Sequence, residues 1–483
     1  MGLLGILAGL VLLIGLAFRG WSVLLLAPIA ALIAAAAGGE PLLAHWTQTF
    51  MGGAAGFTAQ FFPLFLLGAV FGKLMDDSGA VRSIAAWVSS RLGSERAVLA
   101  VVLVGAGVTY GGVNLMVAFF VLVPMAEALF RDANIPRRLM PAAIGVGTFT
   151  FTMSALPGSP ALQNAIPMPF FGTTPFAAPG LGLIASAIML GFGLWWVGRR
   201  EASARRAGEG FEGFAASPEA AMAEGRVREL ATVAREFDPA ELAQGERVAE
   251  PPAFLPSVLP LVTVLVVNLV MTFFVLPRMD AAFLAGDAWG NTSLSAVGGV
   301  WAVIVALASG ILVLLALHWH RLPALKETVD AGANASVLPV LSVGSLVGFG
   351  GVVAAMPAFE VVRDWVLGIG GGPLVSLAAS INILSALTGS ASGGMTIALG
   401  TLGETYMRLA AEYGIDPALM HRIAVMSSGT LDCLPHNGAV VTLFKVSGTT
   451  HGTSYGDLVM SVIVGPVIAL VVVVLIGSLV GSF

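Results

Sequence analysis

Apolar segments broken by glycine and proline recur in this chain at a fixed separation of 278 positions, and that recurrence limits the folds open to it. Gly111 pairs with Gly389, Leu156-Pro157 with Leu434-Pro435, Phe71-Gly72 with Phe349-Gly350, and Trp87 with Trp365. At membrane depth a helix breaker releases backbone N–H and C=O groups, which survive only where protein buries them or a cavity wets them. Interrupted hydrophobic segments at corresponding places in two halves are the best sequence pointer to the binding site of a secondary transporter.

Composition supports a membrane setting. The chain is 57% hydrophobic and only 11% charged, against roughly 25% charged in soluble domains, which argues against a soluble enzyme. The net charge of −5 says little, because charge acts in such proteins through its position. Cys433 is the only cysteine, so disulfides within the chain and cysteine-rich metal sites are excluded. Six scattered histidines lack ligand spacing, and neither a metal nor a cofactor is expected. The apolar stretch from Met1 to Phe18 lacks a basic leader and a small-residue cleavage site, so it is expected to be a retained span.

About 20 apolar residues cross a bilayer core of about 30 Å as a helix. Seven windows of this kind stand alone, and three longer ones carry breakers. Residues 97–126 hold Tyr110-Gly111-Gly112-Val113-Asn114 at their centre, and residues 373–403 hold Thr388-Gly389-Ser390-Ala391-Ser392-Gly393-Gly394. The flanks of the first hold Lys73, Arg82, Arg91, Arg96, Arg131, Arg137 and Arg138, so both ends read as cytoplasmic. The flanks of the second hold only Arg363, Arg408 and Arg422 against five acids, so both ends read as external. Each window is therefore expected to be a re-entrant hairpin, entering from opposite faces. The expected fold is an all-α polytopic membrane protein with inverted repeats, two hairpins and two broken helices. Residues 1–198 and 253–483 form the repeats, with five spans each, and 199–252 is a cytoplasmic linker. The N-terminus is expected outside. Asp76 and Asp77, at the end of the third span, read as interfacial.

The breaks carry the candidate chemistry. Gly111, Gly112 and Asn114 sit at the first tip, and Ser154, Gly158, Ser159, Gln163 and Asn164 in the first broken helix. Ser390, Ser392 and Gly393 sit at the second tip, and Thr430, His436 and Asn437 in the second broken helix. Hydroxyls, amides and helix N-termini offer neutral donors and partial positive charge, a chemistry suited to an anion. The competing reading of each break taken alone is close helix packing through small residues. Four breaks at one offset favour one shared cavity. Asp432 is the only acid in the four breaks, and an ionisable residue at this depth is a functional candidate by default. It is the expected proton carrier, with His436 as its partner.

The run Leu156-Pro-Gly-Ser-Pro-Ala-Leu-Gln-Asn-Ala-Ile-Pro resembles the gluconate permease (GntP) family, as do Gly72-Lys73-Leu74-Met75-Asp76-Asp77-Ser78-Gly79 and Gly389-Ser390-Ala391-Ser392-Gly393-Gly394. The resemblance implies import of a small organic anion with protons across a bacterial inner membrane, by elevator-type motion of paired hairpins in a homodimer. Sugar-acid permeases of the family carry a break resembling V-P-P-H-P-G, where this chain has Leu156-Pro157-Gly158-Ser159-Pro160. That departure resembles the branch suggested for short hydroxy acids such as 3-hydroxybutyrate. Sodium coupling and cation/proton antiport are the alternatives within the same superfamily. An intramembrane enzyme would need an oriented nucleophile and base, and Ser390 or Ser428 with His436 is the only available pair. Neither catalysis nor a nucleic-acid partner is expected.

Overall fold

A computed structural model describes residues 2–17, 21–211, 248, 250–435 and 437–483. The expected linker thus lies mostly outside the described residues, as does His436. The first half contains α1 (Gly2–Ala17), α2 (Val23–Gly38), α3 (Leu42–Asp77), α4 (Ala80–Leu92), α5 (Ala97–Tyr110) and α6 (Leu115–Asp132). It continues through α7 (Met140–Thr148), α8 (Phe151–Ser154), α9 (Leu162–Ala165), α10 (Pro167–Phe171) and α11 (Pro179–Arg206). The second half contains α12 (Phe254–Arg278), α13 (Leu294–Arg321), α14 (Leu325–Ala355), α15 (Phe359–Leu367) and α16 (Pro373–Thr388). It ends with α17 (Ala391–Tyr413), α18 (Pro417–Ser428), α19 (Gly438–Ser447) and α20 (His451–Val480). No strand occurs among the described residues.

Length and composition mark six of these helices as able to cross a membrane alone: α3, α11, α12, α13, α14 and α20. Ten spans were expected. The other four fall on α1 and α2, at 16 residues each, and on the two helices interrupted after Ser154 and Ser428.

Helix length also explains the hairpins. The 14 residues of α5 reach about 21 Å at 1.5 Å per residue, short of a bilayer core of about 30 Å. The helix stops because the Val113 N–H bonds back to the Val108 carbonyl and the Gly112 N–H to that of Thr109. This αL-type cap needs positive φ at Gly112, where φ is 103°. The chain then returns as α6, packed beside α5, and the turn Ser94–Arg96 before α5 also packs on α6. The amphipathic α4 meets the segment Ser94–Tyr110 at 101°. In the second half α16 ends at Gly389, with φ 62°, and Ser390 caps α17 by accepting the Gly393 N–H. The arms α16 and α17 approach so closely at Gly394 that a Cβ there would collide with the Ser385 backbone.

The packing repeats when the halves are exchanged. Helix α3 packs on α14, and α11 on α20, each pair occupying matching positions. Contacts of α14 with α2 have a counterpart in α3 with α13, and those of α5 with α7 in α16 with α18. The returning arm α6 packs on α19, beyond the second break, and the returning arm α17 packs on α9 and α10, beyond the first. Hairpins and broken helices are thus cross-braced between halves.

The third span ends in charges buried within the protein: Asp76 and Asp77 are 2% and 0% exposed, and Lys73 is 1% exposed. Lys73 Nζ lies 2.9 Å from Asp77 Oδ1 one turn along the helix, and the Thr328 hydroxyl of α14 donates to Asp77 Oδ2 at 2.7 Å. A paired, hydrogen-bonded carboxylate tolerates a depth that a lone one does not.

At one end of the bundle, charges tie several helices together. Arg138 bonds both oxygens of Glu209, at 2.6 and 2.8 Å, and reaches Asp457 Oδ2 at 2.6 Å. Arg200 also bonds Asp457, at 2.7 Å. Glu127 accepts from Arg131 at 3.0 Å and from Arg137 at 2.6 Å.

Candidate functional site

The first hairpin tip, the first break and α3 enclose a cavity of about 80 Å³. At about 30 Å³ per water in the liquid, that is room for roughly two or three waters. Leu64, Phe65 and Leu307 form its apolar wall, and Thr109, Asn114, Thr148, Thr152 and Gln163 its polar one. Among the described residues, no charged side chain lines it. The Asn114 carbonyl accepts the first intrahelical bond of α6, from the Ala118 N–H, so the start of this 18-residue helix faces the cavity. Helix N-termini carry about half a unit of positive charge and unpaired N–H groups. The Thr109, Thr148 and Thr152 hydroxyls donate to the carbonyls of Gly105, Ile144 and Gly147 at 2.7, 2.8 and 3.1 Å, so the donors that suit a compact anion are the Asn114 and Gln163 amides and the start of α6.

The candidate residues of the first half divide in two. Gly112, Asn114 and Gln163 line the cavity. The others stiffen the break. A Cβ on Gly111 would sit 2.5 Å from Leu261 Cδ2 of α12, and one on Gly158 2.5 Å from the Phe176 ring. The Ser154 hydroxyl donates to the Thr150 carbonyl at 3.0 Å, and that of Ser159 to the Thr152 carbonyl at 2.8 Å. Asn164 Nδ2 donates to the carbonyls of Ser159 and Pro175, both at 2.9 Å. Tyr110 fastens the tip to the break, its hydroxyl donating to the Pro157 carbonyl at 2.7 Å.

The second half forms its own polar knot. Asn437 Nδ2 donates to the Gly389 carbonyl at 3.0 Å, while its Oδ1 accepts the N–H groups of Ala439 and Val440 and caps α19. Ser390 and Ser392 hydroxyls lie 3.3 Å apart, and the Ser390 oxygen accepts the Gly393 N–H. Thr430 donates to Asn382 of α16 and to the Ser427 carbonyl. Asp432 is 3% exposed and accepts from Cys433 Sγ at 3.3 Å. Among the described residues, the second half contributes Leu307 to the lining of the first-half cavity. The two breaks touch, since a Cβ on Gly429 would lie 3.2 Å from Ser154 Cβ.

Sequence reasoning missed two buried groups. Arg422, counted as a flanking external charge, is 0% exposed within α18. Its Nε and Nη2 donate to the Ala177 carbonyl at 3.1 and 2.7 Å, and Nη1 reaches the Ser154 carbonyl at 3.5 Å. His421 is also fully buried, with Nδ1 2.6 Å from the Thr173 hydroxyl and Nε2 3.2 Å from Asn164 Oδ1. Pro417 was the available signal: proline favours the first helical turn, which puts the next residues inside the helix. Removing Arg422 from the external count strengthens the charge asymmetry between the two hairpins.

With this geometry in hand, comparison with known proteins is informative. The sequence model described as CitMHS, citrate transporter, matches residues 10–325. The uncharacterized transporter YxjC of Bacillus subtilis (strain 168) is 39% identical over 458 residues, covering 93% of each chain. The high-affinity gluconate transporter of Escherichia coli (strain K12) is 32% identical over 161 residues, covering 32% of this chain and 35% of that one. The crystal structure of the Alcanivorax borkumensis YdaH transporter superposes with a TM-score of 0.55 at 14% identity, covering 91% of this chain and 89% of that one, a likeness of fold.

Proposed function

Because the chain belongs to the CitMHS citrate transporter family and is a membrane transporter, we propose that it imports a small organic anion together with protons. The observation that carries this reading is the cavity at the first tip and break, with its amides, its helix N-terminus and, among the described residues, no charged lining. The proposed substrate is a hydroxy-carboxylate, such as gluconate or 3-hydroxybutyrate. The symmetric cross-bracing of hairpins and broken helices supports two inverted repeats, 1–198 and 253–483, with ten crossings and elevator-type alternating access. The cluster of Arg131, Arg137, Arg138 and Arg200 at one end supports a cytoplasmic assignment for that end, and with it an external N-terminus in a bacterial inner membrane. Asp432, buried in the second break, is the proposed proton carrier: its protonation removes a negative charge that opposes an incoming carboxylate. A homodimer is part of the same reading.

The test is uptake of labelled C2–C6 carboxylates into proteoliposomes under imposed gradients. Accumulation of a hydroxy-carboxylate driven by a proton gradient supports the proposal. Accumulation driven by sodium alone replaces the coupling ion, and uptake of a cation in exchange for protons replaces the function.

A further inference from the structure

Arg422 is a fully buried cation held by backbone carbonyls. A guanidinium has five N–H donors, and here three bonds reach only two oxygens, those of Ala177 and Ser154. No acid among the described residues forms an ion pair with it. A buried charge without a countercharge costs several kcal/mol, so its retention calls for a reason.

Packing is not that reason. The 278-position repeat that aligns Leu156-Pro157 with Leu434-Pro435 aligns Arg422 with Ile144 and His421 with Ala143. Both first-half residues are completely buried in α7. The same place in the same element is therefore filled by an aliphatic side chain in one half and a cation in the other.

The position relates two open spaces. Ala177, whose carbonyl Arg422 holds, lines a cleft of about 480 Å³ between Phe171–Pro179, Asp416–Ala418 and Ser482–Phe483. Ser154, the other acceptor, follows Met153, which lines the 80 Å³ cavity. The cleft lies at the end of the bundle opposite the arginine-rich face: α11 runs from Pro179 at the cleft to Arg200 in the charged network, and α20 from Asp457 in that network toward Ser482 at the cleft. Arg422 lines neither space itself, but its carbonyl partners stand at the edge of each, where two broken helices touch.

We infer that Arg422 binds the carboxylate group of the transported anion, exchanging its carbonyl partners for the two carboxylate oxygens; this rests on the organic-anion reading above. Planar guanidinium matches a carboxylate bidentately, which an ammonium does not. The inference is tested by equilibrium binding of labelled 3-hydroxybutyrate, gluconate and citrate, and of the corresponding neutral amides, to the purified full-length protein. The wild type is compared with R422I, which installs the side chain of the matching repeat position, and with R422K. For each acid the wild type binds, R422I should weaken binding about 30-fold or more, as loss of one partner of a buried charge pair does. R422K should give an intermediate loss, and amide binding should change less than the acid in both variants. Equal losses for acid and amide, or unchanged acid binding in R422I, overturn the inference while leaving the transporter reading intact. If R422I does not fold, wild-type acid affinity in R422K overturns it. Binding of none of the acids by the wild type overturns both.

Discussion

Asn437 joins the second tip to the second break, and removing it should loosen both in a measurable way. Its Oδ1 accepts two N–H groups of α19, at 2.7 and 3.0 Å, and its Nδ2 donates to the Gly389 carbonyl at 3.0 Å. Asn437→Ala removes a cap, at about 0.5–2 kcal/mol. It also leaves the buried Gly389 carbonyl without that donor, at about 1–3 kcal/mol, so the combined loss is about 1.5–5 kcal/mol. Asn437→Ser keeps a capping oxygen but cannot span to Gly389, so it should recover only the first part. Hydrogen–deuterium exchange in detergent separates the two effects. Peptides across 385–393 should exchange roughly 5- to 140-fold faster in both variants, at 1.4 kcal/mol per factor of ten. Peptides across 438–442 should exchange faster only in the alanine variant. Unchanged tip exchange in Asn437→Ala would refute the tie between tip and break.

In the first-half cavity, Asn114→Ala and Gln163→Ala should each raise the half-saturating substrate concentration about 5–20-fold, the loss of one hydrogen bond to a charged group; unchanged values in both would reduce these residues to packing. Cysteines replacing the exposed Arg91 and Arg131 should react with an impermeant reagent only from the cytoplasmic side, and those replacing the exposed Glu360 and Arg408 only from outside; labelling of Arg91 and Arg131 positions from opposite faces would make the first hairpin a span. The two Arg138 bonds hold the Glu209 carboxyl below its ordinary value of 4.5. Its contribution is therefore fully present above that value and lost as pH falls through the lowered one. Exchange in peptides covering 204–211 should rise on acidification below about pH 4.5, and Glu209→Gln should exchange fast at neutral pH already.

The hairpins were legible in the sequence because helix breakers inside charge-free windows have few physical outcomes in a membrane, and Gly112 and Gly389 do end helices with positive φ. Flanking charge is a guide only where the side chains are solvated, as at Arg131. It failed where charge is neutralised by partners that only folding supplies. Lys73 and Asp77 gave no sign in sequence of a shared partner, yet Thr328, some 250 residues away in sequence, completes a buried pair. Arg422 read as a loop charge, yet carbonyls of Ala177 and Ser154 receive it in the interior. The break residues were picked for polarity, and polarity does not distinguish Gln163, which lines the cavity, from Asn164 beside it, which staples the backbone. On a short irregular segment neighbouring side chains point in unrelated directions, so no periodicity was available to separate them.

The most direct test of the transport claim is proton entry itself. Proteoliposomes loaded with a pH-sensitive dye, with no imposed gradient, receive the carboxylate that the wild type takes up. The account predicts acidification of the lumen in step with uptake, absent from protein-free vesicles. The Asp432→Asn variant should exchange labelled substrate across the membrane without that acidification. Substrate entry with no change in lumenal pH, or an Asp432→Asn variant that acidifies as fast as the wild type, would contradict it.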